Sequence, residues 1–333
     1  MKKTLFLIVV AALCCISCAK TEQEKKNKAE QSYFEAWIRV NYPDAKKTFP
    51  GLYIIDDQPG SGELVGDPKD STLLEADFAI STLDGQYVTY TYEELAKQLG
   101  EYDKKVYYGP KLMGFGEGAT YAGAEYTFNT MRVGGRRKAV IPGWLITMNR
   151  YDSEQGYIDN ITGTNYIYDV TILSKVENET KWEVDSIGRY LQRNFGRSVS
   201  DSLKYGFYYI QTKAPRDTAR YKNDSTFYIN YIGRRLDGQV FDTTIKDTAR
   251  MYGIFDPDKK YEPVNIKYND VYGSITLSGS SVIDGFAYAL YQMRPYESCT
   301  AVFISALGYS SSSQTYIPEY SPLRFDISIV DKE

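Results

Sequence analysis

Side chains able to do covalent or acid–base chemistry are scarce in this chain. None of its 333 residues is histidine. That removes Ser–His–Asp triads, Cys–His dyads and histidine-ligated metal sites together. Cys14, Cys15 and Cys18 crowd the start of the chain, and Cys299 lies in the apolar run SCTAVFIS. With no histidine to activate it, Cys299 reads as a buried, inert thiol in a strand. Gly114-Phe115-Gly116-Glu117-Gly118 lacks the lysine and the βαβ setting of a phosphate loop and reads as a turn. Asp256 and Asp258 are too few for an EF-hand calcium loop, and serines 310–313 read as a loop tip. Neither a metal nor a cofactor is expected. What remains in quantity is aromatic, with 32 tyrosines and 14 phenylalanines. Such a composition, with few long Ala/Leu/Glu runs, favours strands over helical bundles.

The bulk properties bound the class. Hydrophobic residues make up 43% and charged residues 25%, the balance of a globular chain. The length corresponds to about two domains. A net charge of −4, from 39 basic and 43 acidic residues, argues against a nucleic-acid partner held through phosphates.

The first residues read as an address. Lys2 and Lys3 precede an apolar run, Leu5–Leu13, too short to span a bilayer as a helix. Ser17 before Cys18 resembles a bacterial lipobox, which implies a signal peptide over 1–17 and a lipid on Cys18, although Cys15 stands where the pattern prefers leucine. The expected location is the bacterial cell envelope, anchored to the lipid bilayer on its periplasmic or outer-membrane face. Cys299 is then the only other cysteine, so no intrachain disulfide is expected. Residues 18–31 are polar, without hydrophobic period, and read as a flexible tether with a reach of about 20 Å.

Beyond the tether the chain follows one plan twice. Trp37-Ile38-Arg39-Val40-Asn41-Tyr42 is followed by Gly51-Leu52-Tyr53-Ile54-Ile55, and Tyr190-Leu191-Gln192-Arg193-Asn194-Phe195 by Gly206-Phe207-Tyr208-Tyr209-Ile210. Each is an amphipathic helix leading into a glycine-led strand. Tyr33, Phe34, Trp37, Ile38 and Val40 crowd one side of the first helix, and Ile187, Tyr190, Leu191 and Phe195 one side of the second. Two homologous domains are expected, 32–177 and 185–333, joined where the charge rises over 177–185. In the second, Phe227, Ile229 and Tyr231 alternate with Tyr228, Asn230 and Ile232, and Leu323, Phe325, Ile327 and Ile329 with Arg324, Asp326 and Ser328. Ile283, Phe286, Leu290 and Met293 share a helical face, and Pro295 ends that run. The reading is α+β: an antiparallel sheet with one central helix.

The order of these motifs resembles the FKBP-type peptidyl-prolyl isomerases. YIGRRLDGQVFDTT (231–244), VIDGFAYALYQM (282–293), LGYS (307–310) and YIPEYSPLRFDISI (316–329) follow the family's blocks Y-x-G-x-L-x-D-G-x-x-F-D, V-I-x-G-W-x-x-x-L-x-x-M, A-Y-G, and I-P with a final L-x-F-x-V-x-L strand. The resemblance implies two domains, each an antiparallel half-barrel wrapped around a short helix. It implies catalytic roles for Tyr231, Phe241, Asp242 and Tyr309, and substrate contacts from Val282, Ile283, Phe286 and Phe325. Phe286 stands where the family usually has tryptophan. The family's basic residue after Phe-Asp aligns near Asp247, and its aromatic ahead of the helix near Gly273. Residues 245–275 form a longer insertion than usual, carrying Tyr252, Phe255, Tyr261 and Tyr268, which would cover the pocket or add a partner surface.

The first copy keeps the frame and loses the pocket. Met131–Pro142 and Leu83-Asp84-Gly85 match the family's strand and turn. The Phe-Asp pair aligns to Val88-Thr89, the tryptophan to Ala124 and the pocket tyrosine near Thr147, while Phe78 and Tyr168 stay aromatic. The resemblance therefore implies an isomerase acting on proline-containing polypeptides through its second domain, as a folding helper for exported proteins. The worn first copy and the tyrosine-rich insertion leave open a non-catalytic module that binds protein partners. A glycan-binding surface is a weaker alternative, since the tyrosines lie mostly in strand-like runs.

Overall fold

A computed structural model describes the backbone of residues 2–67, 72–161 and 163–332, and side chains from Glu22 onward. The chain divides into two compact units. The first comprises residues up to Tyr92 together with Met113–Glu177, and the second Glu93–Leu112 together with Asn178 onward.

In chain order the elements of the first half are α1 (Lys2–Asn41), β1 (Lys46–Thr48), β2 (Leu52–Gln58), β3 (Leu73–Thr82), β4 (Tyr87–Tyr90), α2 (Glu93–Leu99), β5 (Lys111–Gly114), α3 (Ala122–Phe128), β6 (Arg136–Ile141), α4 (Glu154–Ile158) and β7 (Tyr166–Val176). The second half adds α5 (Glu179–Phe195), β8 (Phe207–Lys213), β9 (Thr226–Arg235), β10 (Val240–Thr243), α6 (Lys246–Tyr252), β11 (Val264–Lys267), β12 (Thr276–Leu277), β13 (Ser280–Ser281), α7 (Asp284–Gln292), β14 (Ser298–Phe303) and β15 (Leu323–Val330). Each unit holds one antiparallel sheet, ordered β1-β2-β6-β7-β3-β4 in the first and β13-β12-β11-β9-β15-β14-β8 in the second.

Register shows that the two sheets are built alike. Tyr53 pairs with Val140 where Tyr208 pairs with Val302. Ile80 faces Tyr168 where Gly233 faces Phe325. The same threonine clamp recurs: Phe78 N–H donates to Thr91 Oγ1, and Tyr231 N–H to Thr244 Oγ1, each at 3.0 Å. The short helix lies close on its sheet in both units. A Cβ on Gly123 would come within 2.2 Å of Ile141, and one on Gly285 within 2.4 Å of Phe303, so glycine is required at both.

The tether expected at 18–31 is corrected: these residues continue α1. Lysine, glutamate, glutamine and alanine are good helix formers whatever their lack of apolar period. Buried Asn27 docks the helix, its amide donating to Ile158 O at 2.8 Å and Asp159 O at 3.1 Å. Those carbonyls end α4 and have no partner within their own helix. The side chain of Cys18 lies outside the described residues. Among the described residues no helix is long and apolar enough to cross a membrane. Farther along α1, Phe34 and Ile38 are buried, one turn apart, but Tyr33 and Val40, expected on the same side, are exposed.

The segment 177–185, expected as a join, is mostly the first turns of α5. Asn178 caps it by accepting from Lys181 N–H at 2.8 Å, and Gly196 closes it in the left-handed region. In the second unit β9 and β15 bury alternate residues, as their period requires. Phe286, Leu290 and Met293 of the predicted helical face are buried, whereas Ile283 is half-buried and caps the helix. Cys299 is buried, and burial pushes its thiol up.

Candidate functional site

Five elements of the second unit converge on one cavity of about 570 Å³. Strand β9 contributes Tyr231 from its buried face. Strand β10 contributes Phe241 and Asp242 through a bulge: Val240 pairs with Arg234 and Asp242 with Gly233, so Phe241 is the extra residue between them. A bulge of this kind re-aims a side chain. Here it brings Phe241 against Phe325 of β15, ring centroids 5.6 Å apart and edge to face. The start of α7 contributes Val282, Ile283 and Phe286, and the loop after β14 contributes Tyr309. All eight residues assigned from the sequence line this cavity.

The floor is a ring cluster. Phe286 lies 5.5 Å from Tyr231 and 4.9 Å from Phe325, each pair edge to face, and Phe303 stacks below Phe325 at 5.8 Å. Edge-to-face contact adds to burial in fixing ring positions. Gly233 is what admits the cluster. A Cβ there would stand 2.7 Å from Phe241 and 3.0 Å from Phe325.

The polar side is organised by Asp242. Its carboxylate accepts from Tyr231 Oη at 2.6 Å, from Thr243 N–H at 2.8 Å and from the Lys259 ammonium. Burial, and then the Asp242 charge, push the Tyr231 hydroxyl up, so it stays a donor. Tyr309 is half-buried and is likewise pushed up, first by burial and then by Asp242. Ile283 is the N-cap of α7, so its own N–H stands outside the helical ladder and is free to bind a carbonyl. Exposed Ser281 and Thr315 stand at the rim.

A buried carboxylate outside the cavity holds the Tyr309 loop. Glu183 of α5 accepts Ser305 N–H at 2.5 Å and Ser305 Oγ–H at 2.6 Å, and Ser310 N–H returns to Ser305 O at 2.9 Å. Tyr309 is thus flanked by bonded positions. Burial pushes Glu183 up to about 7 against the pull of those two bonds.

The two positions where the sequence departs from the family pattern, Asp247 and Gly273, lie outside the cavity lining. The basic partner of Asp242 is Lys259, twelve positions beyond the aligned Asp247, whose own side chain is almost fully exposed. Gly273 does not line the cavity, and Leu277 of β12 does. Sequence reasoning also missed Tyr316 and Ile317 as lining residues, although they open the I-P block. Lys259 carried no comparable signal, because it reaches the site only through the fold of the insertion. Within that insertion Tyr268 is core, buried under the sheet.

The same positions of the first unit are filled differently. Ile80 stands where Gly233 does and pairs with Thr89, the counterpart of Asp242. Val88 replaces Phe241 and is exposed, and Ala124 replaces Phe286.

Residues 217–330 match the model of the FKBP-type peptidyl-prolyl cis-trans isomerase family. No curated protein matches the chain. Among solved structures, the three FKBP domains of wheat FKBP73 align at 14% identity and a TM-score of 0.29, covering 85% of this chain and 95% of that one. FkpA from Escherichia coli aligns at 16% identity and a TM-score of 0.30, covering 52% of this chain and 70% of that one. Over residues 217–330, about a third of its length, the chain is similar to the FKBP-type peptidyl-prolyl cis-trans isomerase family.

Proposed function

We propose that the second unit is a prolyl isomerase for polypeptide clients. The observation that carries this is the convergence of eight separately encoded residues on one ring-floored cavity. Rotation about a peptide bond crosses about 18–20 kcal/mol because resonance gives the C–N bond double-bond character. An X-Pro bond is nearly balanced between cis and trans but exchanges over tens of seconds. Lowering that barrier needs no nucleophile and no proton transfer. An apolar cup strips water from the amide and favours its less charge-separated, twisted form, and placed donors hold its carbonyls. Phe241, Phe286, Phe325, Val282 and Ile283 are the cup. The Tyr309 hydroxyl and Ile283 N–H are the donors, and Asp242 orients Tyr231 and Lys259.

The full chain is expected to accelerate cis–trans exchange of a proline peptide above background. Tyr309→Phe and Phe241→Ala should each lower the rate by about tenfold or more. A parent rate equal to background, followed by magnetisation-transfer NMR, would overturn the enzymatic reading. Peptide binding without turnover would then leave a binding module, a reading favoured by the smaller ring of Phe286 in place of tryptophan.

The sequence at Cys18 supports a second element of the proposal, a lipid anchor in the cell envelope. Metabolic acyl labelling that disappears in Cys18→Ala is the expected result, and equal labelling of both chains would remove the anchor.

A further inference from the structure

Beyond the cup lies a second cavity of about 330 Å³, and the two share Phe241, Asp242 and Tyr316 as a common wall. Its far side is built from the insertion. Phe255 and Tyr261 stack with centroids 5.4 Å apart, and Lys259 lies over the Tyr261 ring. Its remaining side is Lys105, from the segment Glu93–Leu112 of the same unit. That segment is fastened from below. Buried Arg235 donates to Lys105 O at 2.9 Å and to Tyr316 O at 2.6 Å, with its other face on Asp237. Lys104 Nζ donates to Met251 O at 3.2 Å. One guanidinium therefore ties the segment and the cup's Tyr316 loop together.

The charges facing the second cavity are unequal in what they have left to give. Asp242 is engaged by three donors. Asp256 is exposed and accepts from Asp258 N–H at 2.9 Å. Each ammonium carries three N–H groups. Lys259 gives one to Asp242, and Lys105 lies 3.3 Å from Asp103, which does not line the cavity, and 5.1 Å from the Tyr316 ring centroid. The unspent capacity is donor capacity, on two cations. A carboxylate entering here gains charge-assisted hydrogen bonds, and a third cation meets like charge.

We propose that this second cavity is a subsite for an acidic side chain of the client, close in sequence to the bound proline, and that Lys105 completes it. This rests on reading the cup as a proline site. It makes Lys105 a specificity residue contributed from a segment some seventy positions before α5 begins.

The test uses the full chain and fluorescent peptides with one proline in an alanine background. Glu, Gln or Lys is placed one or two positions to either side of the proline. At low salt, a Glu peptide should bind about fivefold more tightly than its Gln counterpart at one of these positions, with Lys weakest, and added salt should shrink the preference. Lys105→Ala should bring the Glu-to-Gln ratio close to one, and Lys105→Glu should invert the order of Glu and Lys. Both variants keep the backbone carbonyl that Arg235 holds. Equal binding of Glu, Gln and Lys peptides by the parent chain, or a ratio that both substitutions leave unchanged, overturns the subsite while the proline reading stands. Failure of every peptide to bind overturns both.

Discussion

The two units share a frame and differ in what occupies one small volume. At the β3–β7 pairing Ile80 faces Tyr168, and at the β9–β15 pairing Gly233 faces Phe325. Both frames keep the bulge, the threonine clamp and the glycine under the short helix. The side chains that make a hollow are kept only in the second. A half-barrel therefore does not need its hollow in order to stand. Its stability comes from the sheet and from the buried rows of β3, β7, β9 and β15. The cup is an addition that depends on three places: a missing side chain at 233, a ring at 241 and a ring at 286. Frame and cavity lining separate here within one chain.

The largest expected effect comes from giving the second unit the first unit's residue. Gly233→Ile places a branched side chain where a Cβ alone would stand within 3.0 Å of both Phe241 and Phe325. The first unit tolerates isoleucine there because Val88 points to solvent. In the second, the rings must be driven into the cup. Overpacking of this kind costs about 1–3 kcal/mol of stability, a loss a folded unit can survive. Exchange of proline peptides should fall at least about a hundredfold, equivalent to about 2.7 kcal/mol at the reacting bond. Far-UV circular dichroism and urea unfolding separate the two effects. A folded variant that retains parental turnover would show that the hollow is not where the proline sits, and the contrast between the units would lose its meaning.

How much of this could be read from the chain itself follows the range of the forces involved. The alternation of β9 and β15 and the apolar face of α7 are local periodicities, legible because burial repeats every two or every three to four residues. The eight residues that line the cavity were legible as a set, since motif order carries what no single aromatic does. Val40 is exposed because, two residues after buried Ile38, it lies about 200° around the helix from it. Residues 18–31 read as a tether because they lack an apolar stripe, whereas one amide, Asn27, supplies the docking contact. Lys259 and Lys105 were invisible for a different reason. Each reaches the site through a fold-back with no period and no motif, and the turns that aim them are set by distant groups such as Arg235. Tyr316 was within reach, as it adjoins the I-P pair.

The units also differ in how each satisfies one backbone donor at the base of the loop after β6 in the first and β14 in the second. In the first unit Gly143 N–H is taken by the neutral amide oxygen of Asn165 at 2.8 Å. In the second, the equivalent Ser305 N–H is taken by the Glu183 carboxylate, itself 2% exposed. The corresponding glutamate of α1, Glu30, is exposed. The second unit alone should therefore carry a pH dependence from this position. Burial raises Glu183 from 4.5 to about 7 in the folded chain. Between those values the folded state holds a proton that the unfolded state has released. Stability must then fall as pH rises through that window, by about 1.4 kcal/mol per pH unit while it lasts, and level off above it. Glu183→Gln keeps an acceptor for Ser305 N–H and removes the titration. The variant should match the parent near pH 5 and exceed it near pH 8, with a flatter profile between, in urea unfolding followed by tyrosine fluorescence. Glu183→Ala should instead lose about 1–3 kcal/mol at every pH, because it leaves a buried N–H without a partner. Parallel pH profiles for the parent and Glu183→Gln would mean that this carboxylate stays ionised throughout, and that the two loops are held by equivalent bonds after all.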